Sequence, residues 1–235
     1  MIDVHVVGSR ARGADAGAIV AIPVRTRVIA AGDDIAQIVA EAVAGIAREG
    51  DVVAVSETAV AIAQGRIVAA ELIRPSKLAY VLSRRTDPLA TVNQPESLQV
   101  VIDRVGVARV LFAAVAQVFG RLVGRPGMFY RVLGEAISTI DGYTGTMPPY
   151  ERSIVLGPDD PGGVAEAIAA HTGFAVAVVD ANDRSGAKVL GASSGVARDA
   201  IARALNRNPA GNGDEQTPIV VLKWRAAGQN PWFLG

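Results

Sequence analysis

The stretch FAVAVVDANDRSGAKVLGAS, residues 174–193, decides how the rest of the chain is read. An apolar run from Phe174 to Val179 predicts a buried strand, and a second run over 187–193 predicts another. Between them stand Asp180, Asn182, Asp183, Arg184 and Gly186, the residue types of a turn. Along the whole chain hairpins stand beside helical crossovers, so a purely parallel doubly wound sheet is not expected. An apolar strand ending in two carboxylates and an amide is also a set of oxygen donors for a cation.

Outward from this stretch, helices and strands alternate. GPDDPGG (157–163) is a helix start, with Asp159 or Asp160 as cap and Pro161 at the first helical position, and the helix runs to His171. A further helix is expected at Val196–Asn206 and a last strand over PIVVLKWR, 218–225. Towards the N-terminus, GDDIAQIVAEAVAGIAREGD carries Ile35, Ile38, Val39, Ala42, Val43 and Ile46 on one face of a helix capped by Asp33 or Asp34 and ended by Gly50. DVVAVSET (51–58) and RIVAAELI (66–73) predict two strands in a hairpin-like pair. PESLQVVIDRV (95–105) and VARVLFAAVAQVFGRLV (107–123) predict helices broken at Gly106, and the Gly- and Pro-rich stretch from Gly124 to Glu151 predicts turns with short strands. The fold class is α+β, or mixed α/β, with mixed sheets, hairpins and flanking helices.

Composition narrows the function. The 235 residues are 50% hydrophobic and 20% charged, as in a globular protein with a sizeable core. The 23 basic and 23 acidic side chains cancel, so no long-range field points to nucleic acid or an anionic membrane. With no cysteine, thiolate chemistry and disulfides are excluded. MIDVHVVGSR is not a secretory signal, and the apolar run from Val110 is too short to span a bilayer, so a soluble cytoplasmic protein is expected. His5 and His171 read as structural, which leaves no base for a nucleophile triad. Standard P-loop and dinucleotide cradles are absent. A nucleotide would therefore need carboxylate-held cations and glycine-loop amides, and three stretches offer them: IDGYTG around Asp141, VVDANDRSG, and NPAGNGDEQTP with Gly211, Gly213, Asp214 and Glu215.

RVIAAGDDIAQIVAEAV, DVVAVSETAVAIAQGRI, IDGYTG, GPDDPGGVAEAI, VVDANDRSGAKVLGASSGV and GNGDEQTPIVVLKW, in this order, resemble the γ-glutamyl ligases of the deazaflavin coenzyme F-420. The likeness covers most of the chain outside 75–130, a divergent and mainly helical segment within one ligase-like unit spanning 1–235. The resemblance implies a GTP-dependent ligase using Mg²⁺ or Mn²⁺. Such a ligase joins L-glutamate to a carboxylate of the coenzyme precursor through an acyl phosphate, and works as a homodimer. Apolar faces around Leu111 and Phe119 are candidates for that interface or for the core. By the same resemblance Asp141 and Asp180 are metal ligands. Glu57 and Thr58 take the place of a nucleotide-contacting hydroxyl pair, Asn182 and Arg184 stand in the metal loop, and Gly211–Asp214 is the glycine-rich loop near the nucleotide.

The chain departs from the pattern at named positions. Ile62 stands where the family carries Lys, Ala181 replaces a hydroxyl after the metal aspartate, and Thr144 replaces an Asn. Arg27-Val28-Ile29-Ala30 replaces a Pro-Leu-Ile-Lys type run, and a segment after Val196 is missing. An aliphatic side chain cannot replace an ammonium facing phosphate, so Arg25, Arg27 or Arg66 would have to restore the charge. A non-catalytic paralogue, serving as a binding or scaffolding protein, is the alternative expectation.

Overall fold

The computed structural model describes residues 19–85, 91–125, 127–134, 140, 142, 149–182, 186–211, 215–225 and 230–233. They form an α+β fold whose contacts gather into two compact units, residues 1–65 with 158–235 and residues 66–157.

The first unit is built on a five-stranded mixed sheet of β1 (Ile19–Val24), β2 (Val52–Ser56), β5 (Ala175–Asn182), β6 (Gly186–Ala192) and β7 (Ile219–Trp224), in the order β1-β7-β2-β5-β6. Only β2 and β5 run parallel; the other neighbours are antiparallel. Side chains alternate across the pleat, so the sheet has two apolar faces. Val53, Val55, Val176, Val178 and Val221 meet α1 (Ile35–Val43) and α7 (Pro161–Thr172) through Val39, Val43, Ala165 and Ile168. Val52, Ala54, Ala177, Val179 and Leu222 meet α8 (Arg198–Leu205) and Trp232 on the other side. Burial on both faces explains why β2 reads as a continuous apolar run rather than an alternation.

The second unit packs β3 (Ile67–Ala69) against β4 (Ser153–Val155) beside α3 (Lys77–Ser83), α4 (Pro95–Val105), α5 (Val107–Leu122) and α6 (Met128–Leu133). Leu98, Val101, Val110, Ala113, Leu133 and Ile154 are its buried centre. The antiparallel β3–β4 pair brings the entry and exit of this unit together, and the Leu156 amide closes it on the Arg66 carbonyl.

Several expectations are corrected. β2 and β3 do not pair, because α2 (Glu57–Ala63) follows β2 directly and β3 joins a separate sheet. The run Ala59–Ala63 has no polar side chain and is buried throughout, so it forms a core helix between the two strands. The first helix ends at Val43 rather than near Gly50, since Gly45 takes the left-handed φ of +74°. Asp34, not Asp33, is its cap, accepting from the Ala36 and Gln37 amides. Met128–Leu133, expected among turns and strands, is a helix lying against α5, where Gly120 lets Met128 approach closely. Asp160 caps α7 by accepting from the Gly163 amide, as the Asp-Pro signal indicates. Neither His5 nor Thr144 falls among the described residues.

Candidate functional site

One edge of the five-stranded sheet collects the polar residues. Residue pairing runs Val24↔Ile219, Val55↔Ile219 and Ser56↔Val179, and the Ser56 amide donates to the Pro218 carbonyl. One position past that row stand Arg25 after β1, the 215–218 segment before β7, Glu57 after β2, and Asp180 in β5. β6 adds Lys188, the register partner of Asp180. This edge is the carboxyl end of the parallel β2/β5 pair, where open α/β sheets place ligands because strand ends and helix starts expose unpaired backbone there.

Each group has a local reason for its place. β2 enters α2 without a loop, since Ser56 keeps the extended conformation (φ −60°, ψ 134°) and Glu57 begins the helix. Glu57 is buried at 6% exposure, while Thr58 follows it in the first turn. Asp180 lies within β5, two residues before its end, and the Asn182 side-chain amide donates to Asp180 Oδ1 at 3.4 Å. Asp180 is thus a strand residue half-exposed at the sheet edge, and the hairpin connection proper begins after Asn182.

The segment before β7 is tied down at four points. Asn208 Nδ2 donates to the Gly211 carbonyl at 3.1 Å, Thr217 Oγ1 to the Ala210 carbonyl at 2.6 Å, Arg25 Nε to the Glu215 carbonyl at 2.9 Å, and the Thr26 amide to the Gln216 carbonyl at 3.1 Å. Gly211 adopts φ +80°, a left-handed conformation that L side chains rarely take, so glycine is favoured there. Arg25 is the basic residue that this arrangement brings to the edge.

Arg27 and Arg66 are engaged locally. Arg27 grips Asp33 with both guanidinium nitrogens, at 2.7 and 2.9 Å. That hydrogen bond raises the arginine's pKa and, with the Ala30 amide, holds the Asp33 carboxyl below its ordinary 3.8. Arg66, in the second unit, donates from Nε to the Gly157 carbonyl. Burial, and then the positive charge of Arg66, lowers the pKa of Arg104 beside it.

The structure therefore gathers Glu57, Thr58, Asp180, Asn182 and Gly211 around one sheet edge. Asp141, Arg184, Gly213 and Asp214 lie outside the described residues. Among the described residues, no group of three or more His, Cys, Asp or Glu side chains is assembled. The donor types at the edge are carboxylate, amide and hydroxyl oxygens, which suit a hard divalent cation such as Mg²⁺. Ile62 is buried at 6% exposure within α2. The sequence alone does not single out Lys188. Its signal was available in the strand AKVLGAS, but its alignment with Asp180 depends on a register shift in β5–β6 between Val178 and Val179.

No curated protein matches the chain. A family model described as F420-0:Gamma-glutamyl ligase matches residues 23–198, a span that includes Arg25, Glu57, Thr58, Asp180, Asn182 and Lys188. The chain belongs to the F420-0:Gamma-glutamyl ligase family.

Proposed function

We propose that this protein is a GTP- and divalent-metal-dependent ligase that forms a γ-glutamyl-type amide between L-glutamate and the coenzyme F-420 precursor or a related carboxylate. The observation that carries this reading is the row Arg25, Glu57, Asp180 and Lys188 at the carboxyl end of β2 and β5, with the Gly211 segment alongside. Phosphoryl transfer asks a protein for positioned charge more than for covalent chemistry, and this edge sets two acids, Glu57 and Asp180, between two bases, Arg25 and Lys188.

Asp180 and Asp141 are the carboxylates assigned to Mg²⁺ or Mn²⁺, with Glu57 and Asn182 as further oxygen donors. When bound, the cation supplies Lewis-acid neutralisation of the phosphate oxygens. Arg25 and Lys188 stand on the outer strands either side of Glu57 and Asp180, and a triphosphate held near Asp180 would lie against Lys188, its register partner. Lys188 then provides the ammonium that Ile62 cannot, by a different route through the fold. Thr58 and the backbone of Gly211, Gly213 and Asp214 orient the nucleotide. In the reaction the acceptor carboxylate takes the γ-phosphoryl group and GDP leaves. The glutamate amine, after losing a proton, then forms the C–N bond as phosphate departs. We read residues 1–235 as one ligase-like functional unit, cytoplasmic and homodimeric. No helix among the described residues is long and apolar enough to cross a membrane.

The buried Ile62 favours the second reading, a non-catalytic paralogue that binds or scaffolds. Incubation with GTP, Mn²⁺, L-glutamate and the coenzyme precursor separates the two. The ligase reading expects GDP and a product heavier by one glutamyl residue. Failure to form either, with several carboxylate acceptors tried, rejects it. Mn²⁺-dependent GTP binding without turnover would support the binding protein.

A further inference from the structure

The helical unit contains an apolar cavity of about 550 Å³ that the ligase reading does not use. Its volume falls within the roughly 300–1,000 Å³ of small-molecule sites. The floor is formed by the buried side chains of Val92, Leu98 and Phe129, and one wall by α5. That wall is unusual for a surface helix. Leu111, Val115, Val118, Phe119 and Leu122 line the cavity, yet they are 43%, 67%, 62%, 65% and 80% exposed. Their spacing makes one stripe down the helix, rising about 16 Å from the first to the last at 1.5 Å per residue. This length suits an extended tail better than a compact ring.

Charge selects the head group. Arg85 and Arg121 are exposed side chains that also line the cavity, one from the end of α3 and one from the end of α5. Residues 104–134 hold five arginines and no acid. The balanced charge of the whole chain conceals this local excess. Two copies docked on this stripe would bring together surfaces with the same excess of positive charge, which disfavours self-association there. An anion with an apolar tail meets both requirements at once. We propose that this cavity binds a single long-chain carboxylate, its tail along the α5 stripe and its carboxylate between Arg85 and Arg121.

The test uses the full chain with palmitate, hexadecanol and octanoate, followed by titration calorimetry. Palmitate should bind one per chain. Hexadecanol should bind at least about tenfold more weakly, because the charge-assisted contact is lost. Affinity should climb steeply from octanoate to palmitate, roughly threefold to fourfold per buried methylene. Exchanging both exposed arginines, Arg85→Glu with Arg121→Glu, should weaken palmitate at least about tenfold while circular dichroism stays unchanged. Val115→Trp, at an exposed position that borders the cavity, should also reduce binding. The proposal is overturned by absent palmitate binding, by equal affinity for hexadecanol, or by indifference to the arginine exchange. It is equally overturned if the protein instead sediments with phosphatidylglycerol vesicles without competition from palmitate, or forms a dimer that Phe119→Asp dissociates and that excludes palmitate.

Discussion

Asp33 accepts three hydrogen bonds, two from Arg27 and one from the Ala30 amide, and so closes the loop leading into α1. The pair is solvent-exposed, so its value lies in loop geometry more than in global stability. Its sign in pH is definite. The folded carboxyl titrates below 3.8, so the pairing is complete above that value and is lost as pH falls through the lowered one. Carbon-detected NMR titration should find Asp33 below 3.8 in the wild type and moved back towards it in Arg27→Ala; an unmoved value would show that Arg27 does not set it. Asp180 is the sharper test of function. Asp180→Asn keeps the shape and removes the charge, so turnover should fall on the order of a hundredfold or more while the fold persists. Lys188→Met should lower turnover in the same assay. Unchanged kinetics in both variants would remove this edge from the chemistry.

At the scale of elements, the strands are held by polar devices as well as by apolar burial. Lys223, near the end of β7, donates to the Asp51 carboxylate at 2.7 Å and to the Ile46 carbonyl at 2.6 Å. Both charged side chains are nearly buried, at 12% and 10% exposure. Asp51 also receives the Arg48 amide, so a single ion pair links the turn after α1 to the sheet. Removing one partner strands the other charge. Lys223→Met should therefore destabilise the protein by about 3 kcal/mol or more in urea unfolding, and the added change Asp51→Asn should recover part of it. A loss below about 1 kcal/mol would mean that the pair is solvated and weak. A comparable closeness governs α7 and β6. A Cβ at Gly191 would collide with the Pro161 backbone, so this glycine sets how near the helix lies to the strand.

At the scale of the whole molecule, residues 66–157 enter and leave through one antiparallel pair, and the first unit closes across the gap by itself. Gln64 Nε2 donates to the Asp159 carbonyl at 2.9 Å, and the Asp159 amide returns a bond to Gln64 Oε1 at 2.8 Å. Joining Gly65 to Pro158 by a short Gly-Ser linker should thus yield a cooperatively unfolding five-stranded domain. A product with no thermal transition would show that the sheet depends on the excised segment. Much of this architecture was legible beforehand. The fold class, the two long helices broken at Gly106, the capped start at Asp160 and the Phe174–Val179 strand all follow from local periodicity and caps, which are encoded within a few residues.

What the amino-acid order determined alone was the long helices and most of the strands, the family, and the candidate groups Glu57, Thr58, Asp180, Asn182 and Gly211. What only the tertiary structure decided was partnership: β2 beside β5 instead of β3, Lys188 opposite Asp180, Arg25 on the Gly211 segment, and Arg27 spent on Asp33. Strand pairing and register are set by contacts between residues far apart in the chain, where a shift of one position exchanges the two faces of a strand. No local pattern carries that information. The same reason explains the exposed face of α5, whose apolar spacing along the sequence is the spacing of a buried helix until its neighbours are known.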